Sequence, residues 1–374
     1  MKHEFRFTFG SYASRVILQH ELPSIEELIH ESGAKKPVLL VCDSNTENYA
    51  RKILGKNTDI SEFPLLILPD GERSKTWESV EAILRSAKAA GLGRDGLFVG
   101  IGGGVIGDLT GFAASIFMRG AQLCLVSTTL LGMSDASIGG KTGINLLGLK
   151  NLAGSFFPAC LVYMPYMTLD TLPEREWKSG IAELIKTAIL DSEIFFNLIG
   201  KLLERWKTDR NSSLFRECLM ECIYRSVTYK GKIVEADPGE TGNQRSLLNL
   251  GHTFGHALET ATDLNSMSHG EAVAWGIARA CDLGLALGIT SQNRSTEIIG
   301  LLKQFGYETS ASHPLVKSTG TLINSMMGDK KQKAGSFQFI VPNTESAQIV
   351  SIQKDSVGID LLYRIIDSYS QGSV

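Results

Sequence analysis

The sequence predicts an α/β protein, with a mostly parallel-sheet domain over residues 1–165 and a mainly α-helical domain over 166–374. Three observations point there. Short apolar runs alternate with amphipathic segments through the first half. The texture turns almost wholly helical between Pro173 and about Gly288. The change falls on a group of prolines, Pro158, Pro165 and Pro173. Strand alternating with helix is the pattern of a parallel sheet covered on both faces. A chain of 374 residues also exceeds what one ordinary core accommodates.

Four candidate strands come first: PVLLVCD (37–43), FPLLILPD (63–70), GLFVGIGGG (96–104) and LCLVSTT (123–129). Each is β-branched or leucine-rich and ends in Gly, Asp or Thr. An amphipathic helix is expected over 76–90. Ligands of such a sheet bind outside the carboxyl ends of its strands. Further on, Pro173 suits a first helical turn, with Glu174 and Glu176 near the positive end of the helix dipole. The segment SFQFIVP (336–342) reads as a short strand, and a last helix is expected near 355–368.

Composition excludes several classes. With 43% hydrophobic and 21% charged residues the chain has the profile of a soluble globular protein. A net charge of -3 provides no bulk field for nucleic acid or an anionic membrane, so any anion site must be a local basic cluster. The cysteines at 42, 124, 160, 218, 222 and 281 form no CxxC pair and read as buried thiols of a reducing compartment. The opening residues lack the apolar stretch of a signal peptide. No run of about 18 apolar residues occurs. A cytoplasmic enzyme without a membrane partner is the expectation.

The run GIGGGVIGD (100–108) follows a strand and opens a helix. Two uses fit it. One is a tight-packing turn. The other is a cradle in which backbone N–H groups and a helix N-terminus meet a pyrophosphate. It departs from the usual dinucleotide fingerprint, because its strand is third rather than first and the acidic residue suited to a ribose, Asp43, lies upstream. Two more strand ends carry polar groups: PDGERSK (69–75), with Asp70, Glu72 and Lys75, and STTLL (127–131), with Thr128 and Thr129. Each alone reads equally as a turn with a helix cap. Together they describe a shared crevice in a nucleotide-binding α/β domain.

GHTFGHALE (251–259) and SHGEAVAWG (268–276) hold three of the seven histidines. His252 and His256 share a helical face, and His269 opens the next helix. Imidazoles on helices suit zinc, and they also serve as satisfied core groups. Glu183, within SGIAELIK, sits among small and apolar residues and so needs a partner or a metal. Lys186 offers the partner, as a structural ion pair. A His/His/Glu set would instead make a catalytic type of zinc site with an open position. A scattered basic set, Arg119, Lys141, Lys150, Lys186, Lys230, Arg245, Lys330 and Lys331, lies partly beside glycines or amides, as suits carboxylate or phosphate.

In this order the motifs resemble the 3-dehydroquinate synthase family. The blocks GGGVIGDLTGF, MRG, TTLL, DASIGGKTGIN, KN, TLPERE, AELIK, RSLLNLGHTFGHALE, HGEAVA and DKK carry the resemblance over residues 70–331. It implies an NAD-binding domain followed by a helical metal-binding domain. It assigns a divalent metal, zinc or cobalt, to Glu183, His252 and His269, and turns His256 toward substrate. It places NAD on Asp43, on Asp70, Gly71, Glu72, Arg73, Ser74 and Lys75, and on Gly104, Val105, Ile106, Gly107 and Asp108. Thr128, Thr129, Asp135, Lys141, Lys150, Thr168, Leu169, Asp170 and Thr171 complete that set. Catalytic roles fall to Lys141, Lys186, Asn249 and His256. Substrate contacts fall to Asp135, Asn151, Lys230, Arg245 and the Lys330/Lys331 pair. Arg119 would reach the phosphate of a neighbouring subunit's substrate, which implies a homodimer.

The implied reaction converts a small anionic sugar phosphate, 3-deoxy-D-arabino-heptulosonate 7-phosphate, to 3-dehydroquinate and phosphate, a step of the shikimate pathway. It proceeds by transient NAD-mediated oxidation, phosphate elimination, reduction, ring opening and aldol closure. The alternatives are an inosose- or valiolone-type sugar phosphate cyclase and a metal-dependent polyol dehydrogenase. The chain departs from the family pattern at Leu149, where glycine is usual. It also departs at Pro238, in a segment one residue longer between Lys230 and Arg245.

Overall fold

The computed structural model describes residues 2–35, 37–55, 62–262, 267–316, 318–327 and 335–367. Lys330 and Lys331 lie outside the described residues. The chain divides into two compact units, Met1–Pro173 with Lys230–Gly239, and Glu174–Tyr229 with Glu240–Val374.

The first unit runs β1 (His3–Phe9), β2 (Tyr12–Gln19), α1 (Ile25–Ser32), β3 (Val38–Asp43), α2 (Glu47–Leu54), β4 (Leu65–Leu68) and α3 (Trp77–Ala89). It continues through β5 (Leu97–Gly102), α4 (Gly104–Ile116), β6 (Gln122–Ser127), β7 (Lys141–Leu146), β8 (Leu149–Phe156) and β9 (Leu161–Pro165). Seven strands form one sheet in the order β1-β2-β9-β6-β5-β3-β4, and β7 pairs with β8 separately. All pairings in the large sheet are parallel except β1 with β2.

The continuous apolar runs explain the sheet. β5 and β9 are buried at every position, as is β3 up to Asp43. Val38, Leu40, Val99, Ile101, Val126 and Leu161 belong to one core cluster with Ile25 and Leu28 of α1 and Ile53 of α2. Each such side chain contributes about 1.5–3 kcal/mol by leaving water. β3 pairs with β4 on one side and with β5 on the other. The chain reverses its direction of travel across the sheet there, which makes the carboxyl ends of β3 and β5 the natural ligand crevice.

The second unit is helical: α5 (Glu174–Asp191), α6 (Glu193–Thr208), α7 (Ser213–Ala236), α8 (Asn243–Ser246), α9 (His252–Ala261) and α10 (His269–Ala286). It continues with α11 (Gln292–Gln304), α12 (Thr319–Met327), the hairpin β10 (Ser336–Pro342) and β11 (Ala347–Gln353), and α13 (Ser356–Asp367). The last turns of α7, from Lys230, belong to the first unit. Phe254, Trp275, Phe337, Phe339 and Leu362 are members of one apolar cluster of the second unit. Among the described residues no helix is long and apolar enough to cross a membrane.

Close backbone approach fixes α9 against α10. A Cβ at Gly276 would stand 2.0 Å from the Gly251 carbonyl oxygen, and one at Gly255 would stand 2.9 Å from that of Ala272. Gly251 itself takes φ 80, a left-handed conformation that suits glycine. The start of α10 is set by a capping box. The Glu271 N–H donates to Ser268 Oγ, and the Ser268 N–H donates to Glu271 Oε2. That box places His269 on the first turn.

The expected strands at 37–43, 63–70, 96–104, 123–129 and 336–342 are present, the last with its expected bounds and the others with ends shifted by one or two residues, as are the helix at 76–90 and the last helix. The hairpins β1–β2 and β7–β8, and β11, were not expected. In β1 the burial alternates with Phe5, Phe7 and Phe9 inward, so a period of two was present. The segment 139–151, noted in the sequence only for lysines beside glycines and an amide, folds as a bulged hairpin.

Candidate functional site

In the second unit three helices converge on one point. α5 brings Glu183, α9 brings His252 and α10 brings His269. Glu183 is fully buried, and its Oε1 accepts no hydrogen bond. Its Oε1 lies 3.5 Å from His269 Nε2 and 3.8 Å from His252 Nε2. These separations are long for hydrogen bonds. They are close to those around a shared ion, because a tetrahedral cation at ~2.0–2.2 Å sets its ligand atoms about 3.3–3.6 Å apart. The three residues form a donor group whose atoms all lie within 4.8 Å of one another. The residues present therefore fit a divalent metal.

The ion-pair and ligand readings of Glu183 coexist on different oxygens. Lys186, also buried, pairs with Oε2 and leaves Oε1 toward the histidines. Burial pushes the His252 ring well below its ordinary pKa, helped by the Lys186 charge and the neighbouring imidazoles. It is thus held neutral, as a ligand must be. Its Nδ1 faces the Leu250 carbonyl at 3.2 Å. Burial also works against a charged His269, but the Glu183 and Glu259 carboxylates outweigh it and push the ring up to about 10. A cation held by the three donors would take the place of that proton. His256 stands alongside, its ring 5.3 Å from that of His252 and 6.2 Å from that of His269.

Two further sequence-chosen residues lie nearby in the chain. Arg245, on the short α8, is buried at 1% exposure. Asn249 donates from Nδ2 to Glu240 Oε1 at 3.3 Å. Glu240 went unnoticed in the sequence; it takes a left-handed φ of 54.

The first unit assembles a polar network at the strand ends. Lys75, buried, pairs with Asp108 of α4 at 2.5 Å and donates to Asn151 Oδ1. Burial raises the Asp108 carboxyl, and the Lys75 charge pulls it the other way. Asn145 bolts the β7–β8 hairpin to this loop. It donates to Glu72 Oε1 at 2.8 Å, accepts the Asn151 N–H at 2.9 Å, and bonds the Lys75 carbonyl through its own N–H. Sequence reading missed Asn145, although GKTGIN contains it.

Asp43 folds its Oδ1 back onto the N–H groups of Asn45 and Thr46, and Ser44 reaches Asp70 at 3.0 Å. Gly71 takes φ 85, Glu72, Arg73 and Ser74 form a short turn, and Ser74 is buried. Thr128 is buried where β6 ends, and Thr168 Oγ1 donates to its carbonyl oxygen. Thr129 Oγ1 accepts the Gly132 N–H. Leu169 is buried, Asp170 is exposed, and Thr171 meets Tyr49 Oη at 2.6 Å. Lys230 holds Asp135 through both its carboxylate and its carbonyl oxygen, each at 2.8 Å.

The glycines of 100–108 divide by purpose. A Cβ at Gly102 would press on Ile106 at 2.8 Å, and one at Gly103 on Thr129 at 2.9 Å, so packing requires both. At Gly104 a Cβ meets only Ala136 at 3.5 Å, and at Gly107 only Leu125 at 3.8 Å. The protein leaves room there, which suits approach by a ligand. α4 starts at Gly104 with no side-chain cap and no acidic residue in its first turn, so its N-terminal N–H groups suit an anion. Val105 and Ile106 follow in that turn. Lys141 is exposed at the start of β7, and Lys150 is half-buried in β8. Arg119 is exposed on a turn where it and Met118 both have positive φ.

Comparison with known proteins agrees with this architecture. Residues 65–179 match the family model for the 3-dehydroquinate synthase N-terminal domain, and residues 180–332 match the one for the C-terminal domain. A 3-dehydroquinate synthase of Acidithiobacillus ferrooxidans is 39% identical over 313 residues, covering 82% of this chain and 83% of that protein. One of Helicobacter pylori is 38% identical over 339 residues, covering 90% and 92%. Among solved structures, a 2-epi-5-epi-valiolone synthase of Streptomyces hygroscopicus with NAD+ and Zn2+ bound superposes with a TM-score of 0.83 at 23% identity, covering 97% and 99%. That last likeness establishes the fold alone.

Proposed function

The chain belongs to the 3-dehydroquinate synthase family, and from that premise we infer that it converts 3-deoxy-D-arabino-heptulosonate 7-phosphate to 3-dehydroquinate and phosphate. The observation that carries the reading is the Glu183–His252–His269 donor set around a buried carboxylate, in a chain that also bears an uncapped glycine-rich helix start. When bound, NAD supplies a reversible hydride acceptor and the divalent cation, zinc or cobalt, a Lewis acid, so that oxidation, phosphate elimination and reduction leave no net redox change.

The chain's own residues supply binding, orientation and charge. Glu183, His252 and His269 hold the cation. Residues 70–75, the 104–108 turn, Asp43, Thr128, Thr129, Asp135, Lys150 and 168–171 hold NAD. In the second unit Lys186, Arg245, Asn249 and His256 face the substrate, with Lys330 or Lys331 as a further cation. In the first unit Lys141, Asn151 and Lys230 do so. Fixed cations at the phosphate and carboxylate ends hold a flexible seven-carbon acid in a reactive conformation. Arg119 reaches a neighbouring subunit's substrate in a homodimer, and the enzyme works in the cytoplasm. The exposed left-handed turn that presents Arg119 supports that role.

Substrate choice separates this reading from another sugar phosphate cyclase. A sugar phosphate without a carboxylate leaves a buried cation unpaired, and a charge-assisted hydrogen bond is worth about 1.5–3 kcal/mol. Initial rates should therefore favour the heptulosonate phosphate strongly over sedoheptulose 7-phosphate and glucose 6-phosphate. Arg245→Met should cut kcat/KM for the acid roughly ten- to a hundredfold. Equal turnover of a carboxylate-free sugar phosphate would reassign the chain to another cyclase activity.

A further inference from the structure

His269 presents its two ring nitrogens to two different carboxylates. Nε2 faces Glu183 Oε1 at 3.5 Å, and Nδ1 faces Glu259 Oε1 at 3.3 Å. Glu259 lies on α9, one turn beyond His256, and is buried at 6% exposure. A buried carboxylate costs several kcal/mol unless it is paired, so its place beside a histidine calls for a reason. Geometry alone offers two. His256, Glu259 and His269 form a second group whose donor atoms lie within 4.8 Å, so Glu259 is either a ligand of a second cation or a support for the first.

The valence of imidazole decides between them. A neutral ring has one lone pair and one N–H. With Nε2 given to the cation held by Glu183 and His252, Nδ1 carries the hydrogen and can only donate. Its acceptor is then Glu259 Oε1. His252 follows the same pattern with a neutral acceptor, its Nδ1 facing the Leu250 carbonyl at 3.2 Å. The two imidazoles are thus oriented by different means, one by a peptide carbonyl and one by a carboxylate. A carboxylate behind a ligating imidazole raises its basicity and locks its tautomer and ring angle.

We propose that Glu259 is a positioning residue that fixes the Nδ1–H tautomer of His269 and strengthens its hold on a single divalent cation. This rests on the assignment of Glu183, His252 and His269 as the ligands. Glu259→Gln keeps the shape and the acceptor oxygen but removes the charge, and Glu259→Ala removes both. Zinc affinity is read by competition between the full-length protein and a chromophoric chelator, with metal content measured by elemental analysis. The expected result is one zinc per chain in all three proteins at saturation, with affinity about 10–100-fold weaker in Glu259→Gln and weaker again in Glu259→Ala. The melting temperatures of the zinc-free wild type and Glu259→Gln should stay close together.

Wild-type affinity in Glu259→Gln would overturn the proposal. So would two zinc ions in the wild type with one lost in the variant, which would make Glu259 a ligand. A second measurement needs no variant. In zinc-loaded protein labelled with 15N-histidine, His269 should show a protonated Nδ1 and a metal-bound Nε2, and the reverse assignment sinks the idea. Failure of the underlying ligand assignment looks different, since zinc would then stay bound in Glu183→Gln and His252→Ala.

Discussion

Glu183 and Lys186 share one turn of α5, both buried, with a donor pair of histidines on the far side of the carboxylate. Two cations therefore compete to compensate one charge, the ammonium permanently and the metal when present. Removing one partner of a buried pair costs about 3–5 kcal/mol, because the other is left uncompensated. Lys186→Met should lower stability by that amount in zinc-free protein and by distinctly less in zinc-saturated protein, measured by denaturant unfolding with and without metal. Equal losses under both conditions would show that the metal does not sit on Glu183. The need for compensation was legible in the sequence, since Glu183 interrupts a run of small and apolar residues. The division of labour between its two oxygens was not, because spacing within α5 says nothing about which oxygen α9 and α10 approach.

Gly104 poses the opposite question at the same scale. Its neighbours Gly102 and Gly103 are required by packing, whereas a Cβ at Gly104 meets only Ala136 at 3.5 Å. Gly104→Val should therefore leave the fold intact, apart from a change of under ~1 kcal/mol from helix propensity. It should weaken NAD binding by more than tenfold by blocking backbone approach. Calorimetric titration with NAD checks this. Unchanged affinity would remove the glycine turn from the cofactor site.

At the scale of elements, the candidate ligands His252 and His269 are placed by how tightly α9 lies on α10. Gly276→Ala would place a methyl 2.0 Å from the Gly251 carbonyl oxygen, and the backbone on which His252 begins must give way. A loss of about 1–3 kcal/mol is expected from such overpacking, together with a weaker zinc site. Gly300→Ala on α11 is the control, because nothing lies within 4 Å of a Cβ there. It should be neutral or stabilising by up to ~1 kcal/mol. Thermal unfolding and zinc competition on both variants test the contrast, and similar behaviour of the two would contradict it.

Elements differed in how well the sequence announced them. The buried parallel strands and the helices after Pro173 follow from apolar runs and period, so they were legible. The β7–β8 hairpin was not. Its strands are largely half-exposed, with Gly143 and Ile144 of β7 buried, and the Asn145 bonds tie the hairpin to the 70–75 loop. For the site, the resemblance carried by the AELIK, GHTFGHALE and HGE blocks pointed to Glu183, His252 and His269 as candidate ligands, and the structure brings these three together, whereas Glu240 and Glu259 gained meaning only from their distances to Asn249 and His269.

For the whole molecule, the first unit offers a parallel sheet with its crevice at the β3/β5 reversal, and the second offers a candidate cation site around a buried carboxylate. In the proposed reading the first unit supplies the hydride acceptor's seat and the second the Lewis acid's. What distinguishes a cyclase from a dehydrogenase is that the hydride is returned. The most direct measurement follows phosphate and NADH together, using purified zinc-loaded enzyme, excess heptulosonate phosphate and NAD well below the substrate concentration. Phosphate release in full proportion to substrate, with no accumulation of NADH, is the predicted result. Phosphate release that stops when NAD is exhausted, or NADH that accumulates in step with turnover, would contradict it.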